Sequence, residues 1–139
     1  IGKLTALEIF YAYSNLLTGP IPLEVMQITT LTVLFLNGND FTGTIPVEVG
    51  HLTNLELLYL HGNELVGPIP AELHTLSRLR RLYLYSNHLS GSIPVTIGSL
   101  ASIEDLYLHR NLLTGPIPEE LGQLTALVIL SLHSNQLSR

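Results

Sequence analysis

Apolar residues recur along the chain at a fixed set of positions, and the pattern repeats every 24 residues without an insertion. When Ile1 is placed in column 1 of the repeat, columns 1, 4, 7, 10, 12, 17 and 21 are apolar in every copy. No single helix or strand period produces this set, so each unit must contain more than one element. The pattern therefore predicts stacked repeats that share one continuous core.

The third repeat indicates which elements make up a unit. Residues 55–60 end in a period-2 alternation that turns Leu58 and Leu60 inward, which predicts a short strand. Residues 65–69 indicate a second short extended segment. Residues 70–76 begin with a proline and carry an acidic residue in the first turn, which is typical of a helical or 3₁₀ turn. We expect equivalent strands of successive units to pair in parallel.

Each full repeat also has two columns that are not apolar but hold the same residue type, asparagine in column 15 and glycine in column 19. Column 15 is asparagine in every copy and lies where the chain leaves the strand, so a buried amide there can satisfy backbone groups that the turn leaves unpaired. Glycine in column 19 fits a sharp bend where a Cβ would clash. We therefore assign a structural role to Asn15, Asn39, Asn63, Asn87, Asn111 and Asn135.

These columns follow the pattern L-x-x-L-x-L-x-x-N-x-L-x-G-x-I-P-x-x-L-G-x-L along the whole chain. The chain thus resembles plant-type leucine-rich repeats, as in receptor-like kinase and receptor-like protein ectodomains and polygalacturonase-inhibiting proteins. The resemblance implies an α/β solenoid, a right-handed superhelix with a parallel β-sheet on the concave face. It also implies a second short strand row, 3₁₀ or helical turns on the convex side, and an extracellular, non-catalytic module without a cofactor.

We predict a single array over residues 1–139. Cysteines, which usually pair in the terminal caps of this family, do not occur in the chain, and there is no N-x-S/T sequon. We expect an internal slice of a longer array, or a designed one, and apolar ends without caps would favour end-to-end association. The array comprises five full repeats and a partial sixth, at residues 1–24, 25–48, 49–72, 73–96, 97–120 and 121–139.

Charge and hydropathy exclude some partners. The net charge is −5, with 6 basic residues against 11 acidic ones, so no basic patch can neutralise a run of phosphates. We expect no nucleic-acid partner. The sequence has no apolar run of about 18 residues, so this segment is not expected to contact a membrane.

The outward strand positions in columns 8, 9, 11, 13 and 14 are the candidate binding surface. All six tyrosines lie in columns 11 and 13. Such residues either stabilise the sheet by stacking or supply rigid contacts for a ligand, and both can hold together. Six rungs about 4.8 Å apart would fit an extended peptide or a short oligosaccharide. The candidate ligand-binding residues are Tyr11, Tyr13, Phe35, Asn37, Tyr59, His61, Tyr83, Tyr85, Tyr107, His109 and His133.

Charged residues on the same face allow two interpretations. Arg80 lies between Glu56 and Glu104, and Arg81 lies beside Asp105. These residues either form ion pairs across neighbouring strands or let the arginines bind a ligand carboxylate or an acidic sugar. We add Arg80, Arg81 and Asp105 to the candidate ligand-binding residues.

Catalytic and metal chemistry have little support. His109 and His133 lie on adjacent rungs, but no third metal ligand is evident, and pH-sensitive binding is the alternative role. Serines and threonines cluster in columns 5 and 18, away from the histidines, so no nucleophile and base are paired. Val66 interrupts column 18, which disfavours ice binding. We predict a non-enzymatic module that binds a peptide, protein or glycan. The alternatives are a self-assembling segment and an inhibitor of a secreted cell-wall hydrolase.

Overall fold

The computed structural model describes residues 1–138, and each repeat contributes the same short elements in the same order. Six strands form one parallel sheet in chain order. Each residue pairs with its equivalent in the next repeat, as Leu58 does with Leu82. Residues that share a column of the repeat therefore lie side by side in a row across the sheet. The six strands are β1 (Ile9–Tyr11), β3 (Val33–Phe35), β5 (Leu57–Tyr59), β7 (Arg81–Tyr83), β9 (Asp105–Tyr107) and β11 (Ile129–Ser131).

A second row of short strands follows the first. β2 pairs with β4, and β6, β8, β10 and β12 form a separate parallel sheet. The Val66 amide donates to the Gly43 carbonyl oxygen at 2.9 Å and bridges the gap between β4 and β6. The strands are β2 (Thr18–Pro20), β4 (Asp40–Thr42), β6 (Val66–Gly67), β8 (His88–Ser92), β10 (Leu112–Pro116) and β12 (Gln136–Ser138).

The column-19 glycines in this row have φ between 73° and 80°, in the left-handed region that side chains avoid. A Cβ at Gly43 would still lie 3.7 Å from the nearest atom, in Pro20. The backbone conformation therefore explains the glycine at Gly43. The clash expected from the sequence is present at Gly67, where a Cβ would lie 2.9 Å from Thr44 Cγ2.

Short 3₁₀ helices complete the repeats. Each follows a proline with extended backbone, such as Pro70 with φ −62° and ψ 132°. The proline therefore precedes the helix, and its carbonyl oxygen accepts the first helical hydrogen bond, from Leu73 at 3.3 Å. None of the helices within residues 1–138 is long and apolar enough to cross a membrane. The 3₁₀ helices are Leu23–Gln27, Val47–His51, Ala71–Thr75, Val95–Ser99 and Glu119–Gln123.

The apolar columns form one core that runs along the stack. Leu58, Leu82 and Leu106 are fully buried in the sheet layer of this core. Leu4 is 50% exposed in the first rung and Leu130 is 42% exposed in the last. This is the α/β solenoid that the resemblance implied. The division into repeats that end at Arg139 stays a prediction, because that residue lies outside the described part of the chain.

Candidate ligand-binding face

The asparagine ladder fixes the backbone just after each strand. Asn87 Nδ2 donates to the carbonyl oxygens of Leu84 and Leu60, both at 3.1 Å, and Asn87 Oδ1 accepts from the Leu65 amide at 3.1 Å. Each such amide thus joins two neighbouring rungs, as the sequence predicted for a buried amide at the turn. The same three bonds form at Asn39, Asn63, Asn111 and Asn135.

The rings of column 11 form a row along the outer side of the sheet. The ring centroids of Phe35 and Tyr59 are 4.0 Å apart, those of Tyr59 and Tyr83 are 4.2 Å apart, and both pairs are parallel within 4°. Tyr11 stacks on Phe35 at 5.0 Å. Tyr107 instead meets Tyr83 edge to face, at 77°. Phe35 and Tyr59 each have both ring faces covered by stacked neighbours, so each presents its ring edge outward, with the hydroxyl in the case of Tyr59.

Column 13 forms a second row beside the first. Tyr85 stacks on His61 at 4.3 Å and on His109 at 4.5 Å, and His133 stacks on His109 at 4.4 Å. The two rows are close, with Tyr59 and His61 ring centroids 5.9 Å apart. We call the surface formed by columns 11 and 13 the aromatic sheet face. The structure brings all the candidate residues of these columns together on this one surface, and the stacking expected from the sequence is present.

This surface is poorly suited to carry charge. Burial, followed by the charge of His109, lowers the pKa of His61 from 6.5 to about 4. Burial also lowers the pKa of His109, with further contributions from His133 and Arg110. Burial first, and then the neighbouring Tyr59, raise the pKa of Tyr83. His61 is therefore neutral near pH 7 and along most of the mildly acidic range.

The lowered pKa of His61 predicts that the fold loses stability in acid. The folded protein resists protonation of His61 between pH 6.5 and about 4, whereas the unfolded chain binds the proton. The free energy of unfolding should therefore be intact above pH 6.5 and fall through this window. We expect about 1–2 kcal/mol from this group, because solvent screening reduces the ~3 kcal/mol that the pKa difference alone implies.

Urea unfolding at pH 7 and pH 4.5, compared between the wild type and His61→Phe, measures this contribution. The substitution keeps an aromatic ring in the stack, and the carboxylates titrate alike in both proteins. The His61→Phe variant should lose less stability on acidification by that amount. An equal loss in the two proteins would contradict the assignment to His61.

The charged residues form two ion pairs between neighbouring rungs, one at the first residues of β7 and β9 and one at the residues just before them. The guanidinium of Arg80 lies 2.7 Å from Glu104 Oε1, and Arg81 Nε lies 3.1 Å from Asp105 Oδ2. The Tyr83 hydroxyl also donates to Asp105 Oδ2, at 3.2 Å. Cross-strand pairing, one of the two interpretations, is therefore confirmed. Both arginine side chains stay about half exposed, at 53% and 45%, so a ligand can still reach them.

Two features of the face were not found from the sequence. Column 14 has φ near 54–64° at every rung, including Ser86 and Arg110, and only the glycines at 38 and 62 hinted at this left-handed turn. The first three rungs also enclose a shallow depression of about 420 Å³. Its shape depends on how the rings stack, which no column pattern specifies. The depression is lined by Tyr11, Tyr13, Phe35, Asn37, Tyr59 and His61.

The repeat pattern, the ladder and the parallel sheet define a class of protein, and sequence comparison identifies it. The sequence profile of the leucine rich repeat family matches residues 29–89 and 77–137, most of the chain. The chain therefore belongs to the leucine-rich-repeat family. A comparison with curated proteins gives no match.

Solved structures resemble the chain closely. The ectodomain of the plant membrane receptor kinase GASSHO1/SCHENGEN3 from Arabidopsis thaliana, in complex with CASPARIAN STRIP INTEGRITY FACTOR 2, is 41% identical with a TM-score of 0.95. The Arabidopsis receptor kinase HAESA, in complex with the peptide hormone IDA and the co-receptor SERK1, is 35% identical with a TM-score of 0.80. A plant ice-binding protein is 34% identical with a TM-score of 0.93.

Each of these matches covers 98% of this chain but only 16%, 27% and 44% of the respective structure. The chain thus spans less than half the length of these proteins. The comparisons confirm the resemblance to plant receptor ectodomains.

Proposed function

We propose that the chain is an extracellular, non-catalytic recognition module that binds a peptide, or an extended segment of a protein, along the aromatic sheet face. The observation that carries this proposal is the double row of rings, which runs from Tyr11 to Tyr107 in column 11 and from His61 to His133 in column 13. The apolar core is complete beneath these rows. Large, rigid side chains on an outer surface are the type that most often dominates a binding interface.

The stacking favours a peptide over a glycan. Sugars pack on the faces of aromatic rings, but the faces of Phe35 and Tyr59 are covered by their neighbours at 4.0–5.0 Å. The edges and hydroxyls that remain can contact apolar side chains and hydrogen-bond a main chain. Two similar receptor ectodomains, GASSHO1/SCHENGEN3 and HAESA, were solved with a bound factor or peptide hormone, which agrees with this choice.

A test begins with peptides selected from a random library on the immobilised protein. The double variant Tyr59→Ala and Tyr83→Ala should weaken their binding at least tenfold, since loss of two central contacts at a hot spot costs more than about 1.4 kcal/mol. Titration calorimetry gives the affinities. Val95→Ala is the control, because Val95 is 57% exposed on a 3₁₀ helix away from the sheet.

Circular dichroism must show that the double variant remains folded. Binding that survives the double variant, or that Val95→Ala weakens equally, would contradict placement of the ligand on the aromatic sheet face. If the peptide library yields no binder while a glycan array does, the peptide assignment is wrong.

Other functions have less support on this chain. The outer positions of the second strand row do not form a regular hydroxyl array, because Val66 interrupts column 18 and a Glu64–His88 pair, 2.7 Å apart, lies beside it. The likeness to an ice-binding protein is therefore carried by the shared fold. Self-assembly and inhibition of a cell-wall hydrolase stay predictions from the sequence.

A further inference from the structure

Two side chains that line the depression on the first rungs hold buried polar atoms without a partner. Asn37 Oδ1 and His61 Nδ1 are buried, and no donor or acceptor within residues 1–138 hydrogen-bonds either atom. Both residues belong to column 13, on adjacent rungs. A buried polar group without a partner costs stability, so such groups in a folded protein call for an explanation.

The other histidines of the column show what is missing at His61. His109 Nδ1 hydrogen-bonds Ser131 Oγ at 3.0 Å, and Ser131 is the column-11 residue of the next rung. His133 Nδ1 hydrogen-bonds Ser134 Oγ at 3.1 Å, in column 14 of its own rung. At His61 the equivalent positions are Tyr83 and Gly62, which supply no hydroxyl beside Nδ1. The unpaired state therefore belongs to this rung and is not a property of the fold.

The surroundings define the group that could pair with them. The depression is lined by aromatic rings, one amide and one imidazole, and none of the lining side chains is a carboxylate, an ammonium or a guanidinium. A charged group that entered it would lose hydration without gaining a counter-ion. An amide carries both a donor and an acceptor, which matches an asparagine beside a neutral imidazole. A volume of about 420 Å³ also leaves room for an apolar side chain next to that amide.

We infer that the depression is a subsite for an uncharged amide group of a peptide, flanked by an apolar side chain, and that Asn37 and His61 are the residues that recognise the amide. Both side chains line the depression, so rotation of the Asn37 amide and of the His61 ring would bring Oδ1 and Nδ1 to a group that enters it. This assignment rests on the proposed function and specifies the chemistry of one part of the same face.

The inference makes stability and binding change in opposite directions. Asn37→Leu removes an unpaired polar atom and should raise the midpoint of thermal unfolding by about 2–4 °C. The same substitution should weaken binding at the subsite at least tenfold. A purely structural asparagine would give the opposite result for stability, with the midpoint lowered.

The probe is N-acetyl-leucinamide, which is uncharged and carries an apolar side chain between two amides. We expect saturable changes in the NMR signals of the Asn37 side-chain amide and the His61 ring. Three other compounds should each bind at least tenfold more weakly than this probe. They are the anionic N-acetyl-leucine, the cationic leucinamide and the disaccharide cellobiose. Asn37→Leu and His61→Phe should both lower the affinity for N-acetyl-leucinamide, whereas Val95→Ala should leave that affinity unchanged.

Equal binding of a charged probe or of cellobiose would overturn the inference, and so would unchanged probe binding or a lowered unfolding midpoint in Asn37→Leu. The peptides selected against the whole face separate the two proposals. If Tyr59→Ala with Tyr83→Ala weakens them and Asn37→Leu does not, the sheet face binds peptide but the subsite is wrong. If no peptide is selected and the probe still binds, the subsite stands without the proposed function.

Discussion

Replacement of Asn87 by alanine is expected to lower the free energy of unfolding by about 3 kcal/mol. The substitution removes three hydrogen bonds at once, two to the carbonyl oxygens of Leu84 and Leu60 and one from the Leu65 amide. Asn87 is only 6% exposed, so water cannot replace the missing groups without opening the stack. Urea unfolding followed by circular dichroism measures the loss.

Asn15 provides the matched control. It occupies the same column but is exposed. Among residues 1–138 its Nδ2 donates only within its own turn, to Ala12 O at 3.2 Å and Tyr13 O at 3.1 Å. Asn15→Ala should therefore change the free energy of unfolding by about 0.5 kcal/mol or less. Similar losses in the two variants would show that the column acts through local turn formation rather than by joining rungs.

Asn87→Asp separates the two halves of the interaction. A carboxylate can still accept from the Leu65 amide, but it cannot donate to the carbonyl oxygens of Leu84 and Leu60. It should destabilise the fold at least as much as alanine, because a buried charge would face two carbonyl oxygens. Stability close to the wild type would contradict the donor role of the amide.

The sequence was sufficient to predict the rows because the period has no insertion. A constant step of 24 residues places Leu58 opposite Leu82 in the sheet, and the same step aligns the asparagines and the rings. Inward and outward positions then follow from alternation along each strand. For this reason the sequence could predict the fold and the residues that lie on the aromatic sheet face.

The arrangement within a row could not be predicted in the same way. Tyr59 and Tyr83 are parallel within 4°, whereas Tyr83 and Tyr107 meet at 77°, although all three share column 11. Beyond Tyr107 the next column-11 residue is Ser131, which offers no ring to continue the stack. Ring orientation depends on neighbours one rung away on both sides, so the depression and its unpaired atoms emerge only from the packed structure.

The pairing of the charged residues also could not be predicted from the sequence. Arg80 has carboxylates on both sides in its column, at Glu56 and Glu104, and the sequence gives no reason to prefer either. The structure pairs its Nε and one terminal nitrogen with Glu104 Oε1, at 3.0 and 2.7 Å. Because exposed pairs of this kind contribute about 0–1 kcal/mol, a ligand carboxylate can compete for Arg80 at little cost to stability.

The solved structures that resemble this chain share its fold but include proteins of different kinds. A receptor ectodomain and an ice-binding protein match this chain with TM-scores of 0.95 and 0.93, so the stacked repeats alone do not select a ligand. The core columns and the asparagine ladder specify the stack. The outward columns are free to differ, and in this chain they carry the rings and the ion pairs. Any selectivity for a ligand must therefore reside in these outward columns.

Gly98→Ala is expected to destabilise the fold by about 2–3 kcal/mol, through a contact between 3₁₀ helices on the side away from the sheet. A Cβ on Gly98 would lie 2.5 Å from the Glu120 carbonyl oxygen and 2.8 Å from Glu120 Cβ. The first of these atoms belongs to the backbone, so the 3₁₀ helix Glu119–Gln123 would have to move away. Thermal and urea unfolding measure the cost.

Gly122→Ala tests the cause, because Gly122 occupies the same column and a Cβ there would meet nothing within 4 Å. That variant should be neutral or more stable by up to about 1 kcal/mol, since alanine restricts the unfolded chain. Neither glycine has a positive φ, so backbone strain does not separate the two sites. Equal destabilisation would refute the contact between helices. Peptide binding by folded Gly98→Ala should match the wild type, because the change lies on the side opposite the aromatic sheet face.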